Sequence, residues 1–321
     1  MAQSIGVGKQ SVSHRLDRLL NSGAIVITAF VDPVALGFPL LCNVGVRVRL
    51  GTGQAVASEL AAMEDVAFVA HSTGAFDLLV EAFLADTGAV FEFLNLKLSQ
   101  MDGIVDTKAW FVLSSAKYAY MWEDTNAGVD QQAVATDAQD HAPDGAASRH
   151  AGEKTMRGWT TKPGSALKMI GLDDLDREVI RLLREDGRRS YTDIAKRVDV
   201  TKATVANRVE RLLETGVLLI VAHVNWPVVG FPVYVTISIK ASRGRVVEVG
   251  SRLAALTNVD YVGYTTGDFD LAIEAFLPDT ASLLRFLNND IAAIPGVEST
   301  ETWHILHIEK FNYMWEGEAV R

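Results

Sequence analysis

The chain has 321 residues, 49% of them hydrophobic, and a mean hydropathy of +0.15, enough apolar material for two or more cored domains. No apolar run reaches the length of a membrane span, the N-terminus lacks the basic-then-apolar order of a signal peptide, and a single cysteine, Cys42, excludes an internal disulfide framework. A net charge of −10 argues against nucleic acid as a partner, but it is unevenly spread. Between Arg188 and Arg211, seven basic residues (Arg188, Arg189, Lys196, Arg197, Lys202, Arg208, Arg211) oppose three acidic ones (Asp193, Asp199, Glu210), a local balance of +4. The composition is that of a protein expected in the cytoplasm.

The first patterned segment is GKQSVSHRLDRLLNSG at Gly8–Gly23, basic and amphipathic at helical spacing. A buried strand follows at LLCNVGV, where Cys42 reads as a small apolar core residue, and a β-α-β-β-α-β order runs from Leu40 to Leu113. The segment YMWE at Tyr120–Glu123 ends this part, and Asp124 to about Met169 has the Ala, Asp, Gly, Gln, Ser and Thr content of a flexible linker. Everything then recurs at an offset of 193: Lys9 with Lys202, Gly23 with Gly216, GFP at Gly37 with GFP at Gly230, EAFL at Glu81 with EAFL at Glu274, FLN at Phe93 with FLN at Phe286, and YMWE at Tyr120 with YMWE at Tyr313. The chain is a tandem duplication without an insertion or deletion.

The second copy is the fuller one. Leu172, Leu175, Val179, Leu182 and Leu183 recur at helical spacing, with acids in the first turn and Gly187 after the last. Ser190 and Asp193 resemble a capping box for a second helix. Thr201 is the expected N-cap of a third, which buries Val205, Val209, Leu212 and Leu213 and exposes Lys202, Thr204, Asn207, Arg208 and Arg211. A strand-like wing, VLLIVAHV, follows, so three helices and a strand pair predict a winged helix-turn-helix. After GFP the period becomes two, and strands at Val233–Ile239, Val259–Thr265, Asp270–Leu277 and about Glu298–Ile308 alternate with helices at about Arg245–Leu256 and Thr280–Ala293. The expected fold is α+β, a winged helix-turn-helix plus a ferredoxin-like βαββαβ module, each present twice. The expected segments are 1–32 (truncated helix-turn-helix), 38–123 (module), 124–169 (linker), 170–226 (helix-turn-helix) and 231–318 (module).

The exposed face of the third helix suits DNA. Lys202, Arg208 and Arg211 can neutralise phosphates, Asn207 and Arg208 have the forks for base edges, and Thr201 and Thr204 suit phosphate or thymine-methyl contacts. Arg189 and Ser190 are placed to clamp the backbone, and the first copy offers Lys9, Gln10, Ser11, Ser13, His14, Arg15 and Arg18.

The order LDDLDREVIRLLREDGR, SYTDIAKRVDVTKATVANRVERLLETGVL and TTGDFDLAIEAFL resembles the Lrp/AsnC (feast/famine) transcription regulators, over almost all of Leu172–Glu316 and about Ala2–Glu123. The resemblance implies double-stranded DNA as a partner, self-association through the ferredoxin-like modules, no cofactor, and a small effector, often an amino acid, bound near the glycine-containing hairpin turns. Those turns are Thr73, Gly74 and Asp77 in STGAFD and Thr266, Gly267, Asp268 and Asp270 in TTGDFD. Members usually carry one copy of each domain, so this chain is expected to form a pseudo-dimer within itself. Position 1 corresponds to position 194, so the first copy as written lacks its first helix and the start of its second, and Val12, Leu16, Leu19 and Leu20 lose a packing partner.

Haem-pathway decarboxylases share this domain order, but the sequence offers no Arg/His/Tyr/Trp cluster of the kind their substrate needs, no paired histidine ligands and no nucleophile arrangement. An enzyme is therefore not expected. The alternative to a DNA-binding regulator is a ligand-sensing or oligomerisation protein that does not bind DNA. The doubled YMWE, after each last strand, reads as a packed cap or subunit contact.

Overall fold

A computed structural model describes residues 8–34, 36–118 and 171–311, without the side chains of Lys9 and Tyr118. The linker and both YMWE segments lie outside the described residues.

In the first copy, α1 (Lys9–Asn21) and β1 (Ile25–Val31) precede a module of β2 (Leu40–Val48), α2 (Gly53–Ala61), β3 (Val66–Ser72), β4 (Leu78–Leu84), α3 (Thr87–Glu92) and β5 (Ile104–Tyr118). The second copy has α4 (Asp174–Glu185), α5 (Tyr191–Arg197), α6 (Lys202–Glu214) and β6 (Leu218–Val224). Its module follows as β7 (Val233–Ala241), α7 (Val246–Ala254), β8 (Val259–Thr265), β9 (Leu271–Leu277), α8 (Thr280–Arg285) and β10 (Val297–Phe311). Both FLN segments continue their short helix as a π-helix, Phe93–Lys97 and Phe286–Ile291, where the sequence pattern predicts one α-helix. The wider turn brings Phe286 and Ile291 into the same core.

The two modules close one eight-stranded barrel in the order β10-β3-β4-β2-β5-β8-β9-β7. The last strand of each module is 15 residues long because it serves both sheets. β5 pairs with β2 over Ile104–Val112 and then with β8 of the other copy, Val112 opposite Thr265 and Tyr118 opposite Tyr261. β10 does the same with β7 and then β3, from Ile305 opposite Ser72 to Phe311 opposite Phe68. Each sheet packs its outer face on its own helices: Val44, Val80, Leu60 and Phe93 in one core, Val235, Ile273, Leu253 and Phe286 in the other. The inner faces meet in clusters that include Leu41, Tyr261, Phe68, Phe76, Tyr234 and Trp303.

The strand pair expected after the helices is present, but its two strands come from different copies: β1 runs antiparallel to β6, from Ile25 opposite Val224 to Val31 opposite Leu218. A single strand cannot stay folded beside three helices, and the duplicate supplies its ladder partner. The helix-turn-helix of the second copy rests on this ribbon. Thr28 Oγ1 donates to the Arg184 carbonyl (2.7 Å) and Gly187 N to the Ile27 carbonyl (2.9 Å). A Cβ on Gly187 would lie 2.9 Å from the Thr28 nitrogen, so this close approach requires glycine.

The double capping box sits at the start of α4, not α5. Asp173 accepts from the Asp176 nitrogen and Asp176 from the Asp173 nitrogen. Ser190 makes the forward bond to the Asp193 nitrogen. The tight turn before α6 passes through Asp199 at φ 53°, the left-handed region that Asp tolerates better than most residues.

Candidate functional site

Two sets of residues carry the sequence-derived expectations: the face of α6, and the two glycine turns.

In α6, Val205, Val209 and Leu212 are buried against α4 and α5 with Val179, Leu183 and Ile194. Leu213 is half-buried. Thr201 caps the helix by accepting from the Thr204 nitrogen at 3.1 Å, and the two hydroxyls lie 2.8 Å apart. Lys202 and Asn207 are exposed on the N-terminal half. Arg208 is placed differently from the base-edge role its fork suggests. Its guanidinium bonds Asp173 and, at 3.1 Å, Asp176, while Arg211 reaches the other oxygen of Asp176 at 2.5 Å. Asp176 is 1% exposed, so these two cations neutralise a buried carboxylate and tie α6 to α4. The Asp173 carboxyl lies below its usual range, first because the Asp176 backbone N–H donates to it and then because Arg208 does. Arg189 is similarly occupied, 3.0 Å from Glu185 and 3.7 Å from Asp193, and Ser190 is the cap of α5. Arg189 and Ser190 thus serve the scaffold in this structure.

In α1, the equivalents of those arginines, Arg15 and Arg18, are exposed, as are Gln10, Ser11 and His14, whereas Ser13 is half-buried. The Lys9 side chain lies outside the described residues. Val12, Leu16 and Leu19 are only half-buried, whereas their counterparts Val205, Val209 and Leu212 are buried; Leu20 and its counterpart Leu213 are both half-buried.

Each glycine turn is docked on the last strand of the opposite module. Thr73 N donates to the His304 carbonyl (3.0 Å) and His304 N to Thr73 Oγ1 (3.2 Å). Thr266 N donates to the Phe111 carbonyl and Phe111 N to Thr266 Oγ1, both at 2.9 Å. Gly74 and Gly267 adopt φ of 102° and 98°, which a side chain rarely tolerates. The aspartates close the turns from below. Asp77 accepts from Val48 N at 2.8 Å, and Asp270 accepts from Ala241 N at 3.0 Å while pairing with Lys240 at 3.1 Å. Asp268, exposed at the tip, is bonded by Lys108 of the other module, and this bond, before any other cause, holds its carboxyl below the usual range. Arg47 donates to the Ala75 carbonyl through Nε (3.3 Å) and Nη2 (3.0 Å).

Trp110 and Trp303 are missing from the sequence-derived set. They stack between the turns with ring centroids 5.8 Å apart, and Phe76 lies 6.2 Å from Trp303. Trp303 is buried and its Nε1 has no hydrogen-bond partner, while a Cβ on Gly74 would lie 3.3 Å from that nitrogen. An N–H donor is therefore held beside the turn backbone, suited to an anionic or carbonyl oxygen. The signal was available, because the two tryptophans stand at the repeat offset of 193. Closure of the barrel brings the two together. Among the described residues no group of three or more His, Cys, Asp or Glu is placed to hold a metal, and no helix is long and apolar enough to cross a membrane.

The AsnC-type helix-turn-helix domain model matches residues 172–213, and the Lrp/AsnC ligand binding domain model matches twice, at 41–122 and 233–314. The chain belongs to the Lrp/AsnC family. Two Pyrococcus abyssi proteins are similar to it: an uncharacterized HTH-type transcriptional regulator, 37% identical over 147 residues (46% of this chain, 93% of the relative), and the HTH-type transcriptional regulator FL11, 33% identical over 142 residues (44% and 93%). The relatives of this Lrp/AsnC protein are thus matched by under half of it, as a tandem duplication requires. The solved structure of the siroheme decarboxylase NirDL covers 96% of this chain and 84% of its own, with a TM-score of 0.60 and 13% identity, a likeness of fold. As a family member the chain is a DNA-binding transcriptional regulator with effector-binding domains, its αβ modules and helix-turn-helix being those of Lrp/AsnC proteins.

Proposed function

We propose that this regulator reads a specific DNA sequence with α6 of the second copy and responds to an amino acid or a related metabolite at the two glycine turns. The observation that carries the DNA reading is the exposed N-terminal half of α6, with Lys202 and Asn207 beyond the Asp199 turn, inside the segment matched by the helix-turn-helix model. Because Arg208 and Arg211 are engaged by Asp173 and Asp176, base contacts fall to Lys202, Thr204 and Asn207, and the two arginines hold the helix at its angle. In α1, Gln10, Ser11, Ser13, His14, Arg15 and Arg18, together with Lys9, are the counterpart surface for the adjacent half-site, and Arg189 and Ser190 lie beside the phosphate backbone.

At the turns, the Trp303 N–H beside Gly74 and the backbone around Thr73 suit an effector carboxylate, and Asp77 has lone pairs left for an ammonium. Thr266, Gly267, Asp268 and Asp270 form the counterpart, which differs in carrying the Lys108–Asp268 pair. The two turns therefore differ in ligand preference. In this reading the protein acts in the cytoplasm, self-associates through its ferredoxin-like modules, needs no cofactor and catalyses no reaction. The test is a mobility-shift assay with the DNA upstream of the protein's own coding region. A retarded species that weakens steeply with salt supports the reading, and none at low salt overturns it. Thermal shift against the twenty amino acids, with Gly267 and Asp270 variants as controls, tests the effector sites.

A further inference from the structure

The barrel encloses polar side chains that neither DNA binding nor the turns use. On β4, Leu78, Val80, Ala82 and Leu84 belong to the outer core and Leu79 to the inner cluster, so alternation puts Glu81 on the inner face. The same argument places Glu274 there beside Phe276, and Asn43 and Thr236 on the neighbouring strands. Asn43 stands directly opposite Glu81 in the β2–β4 register, and Thr236 opposite Glu274 in β7–β9. Paired residues on one face have Cβ atoms about 5 Å apart. Both glutamates thus point into the barrel interior, close enough for the charge of Glu81 to act on Glu274.

We propose that this interior is a binding site for a small primary organic ammonium ion, held by the carboxylates of Glu81 and Glu274 and by Asn43 Oδ1. The donor–acceptor inventory supports it. Tyr234 Oη donates to Glu274 at 2.7 Å. Asn43 is 8% exposed, and its Oδ1 has no partner. Among the described residues no Lys or Arg forms an ion pair with either glutamate. Three oxygen acceptors are left facing one space, and an alkylammonium group brings three N–H donors. Burial first, and then repulsion from Glu81, holds the Glu274 carboxyl above its usual range, and the ammonium charge removes that repulsion. The walls suit an alkyl group: Tyr234 stacks on Phe276 at 4.5 Å, and the Trp110–Trp303 pair offers ring faces to a cation. A hard divalent metal would need more oxygens or retained waters than these walls supply. The other ionisable groups near the pair are Tyr234 on β7 and Tyr261 and Asp260 on β8; the cation beside Asp260, Lys117, donates to the Leu256 carbonyl at 3.0 Å. The site shares the Trp110–Trp303 pair with the turns but draws its acceptors from β2, β4 and β9, so the Glu81 variant tests it apart from the turn aspartates.

The experiment titrates the full chain with methylammonium chloride, followed by calorimetry in buffers of different ionisation enthalpy and by carboxyl carbon NMR. Saturable one-to-one binding with net proton release and movement of the Glu81 and Glu274 carboxyl resonances is expected. Glu81→Gln should weaken binding about tenfold or more, as loss of a charged hydrogen-bond acceptor does, while Glu59→Gln, on the exposed face of α2, should leave it unchanged. Absence of saturable binding, equal binding of tetramethylammonium or calcium, or a Glu81→Gln protein that binds as well as the wild type would each overturn the proposal. If Glu81→Gln does not fold, the resonances of the wild-type carboxyls decide: without a shift on titration the proposal fails.

Discussion

Arg208 on α6 and Asp176 on α4, 32 positions apart, lie 3.1 Å from each other, and the carboxylate they share with Arg211 is almost wholly buried. The consequence is that one arginine has a structural duty that an exposed recognition residue does not. Arg208→Ala is expected to lower the melting temperature, since Asp176 loses part of its compensation, and to weaken DNA binding. Asn207→Ala is expected to weaken DNA binding with the melting temperature unchanged. Thermal denaturation and mobility shift on both variants check this; equal melting temperatures would show that the ion pair holds nothing.

The first copy offers the control. Arg15 occupies the position equivalent to Arg208 but is exposed in α1. Arg15→Ala is expected to change stability by less than about 0.5 kcal/mol, as surface substitutions do. A loss equal to that of Arg208→Ala would mean that α1 has a buried acidic partner in solution.

The two turn glycines should respond unequally. Both have φ near 100°, so both Gly74→Ala and Gly267→Ala incur backbone strain of about 1–2 kcal/mol. A Cβ at Gly74 would also lie 2.7 Å from Trp303 Cδ1, whereas at Gly267 the nearest atom, Trp110 Cβ, is at an ordinary 3.6 Å. Gly74→Ala is expected to be the more destabilising and to perturb tryptophan fluorescence, which melting curves and emission spectra measure.

Stability should peak between the acid and alkaline limits. Burial on β6 pushes the His223 imidazole down to about 4 from its ordinary 6.5, so the folded state binds fewer protons than the unfolded chain over that interval. Its contribution is complete above about pH 6.5 and is lost as pH falls toward 4, by about 3 kcal/mol. Glu81 and Glu274 act in the opposite sense: burial raises both carboxyls, so their contribution is complete in acid and is lost as pH rises. His223→Gln is expected to flatten the acid side of a plot of unfolding free energy against pH, and Glu81→Gln the alkaline side. Denaturant melts from pH 4 to pH 9 test both.

Local pattern carried most of the elements. The period-two runs placed β8 at Val259–Thr265, where it is found, and helical spacing with an N-cap threonine placed α6 from Lys202. Those features arise within a few residues, where side-chain alternation and capping act. The boundaries that moved are the ones set from outside the segment: β10 runs on to Phe311 because β3 of the other copy gives it a ladder, and α8 gives way to a π-turn because Phe286 and Ile291 reach one core.

The sequence by itself determined the duplication, the order of elements, the basic stretch and the positions of the two glycine turns, because each is written in spacing and residue type along the chain. Only the tertiary structure decided which residues meet. It paired β1 with β6, stacked Trp110 on Trp303, turned Arg208 toward Asp176 and enclosed Glu81 with Glu274. Those contacts depend on how the two copies close around one axis, and that closure is set by sheet edges that remain unpaired until the other copy supplies the missing strand.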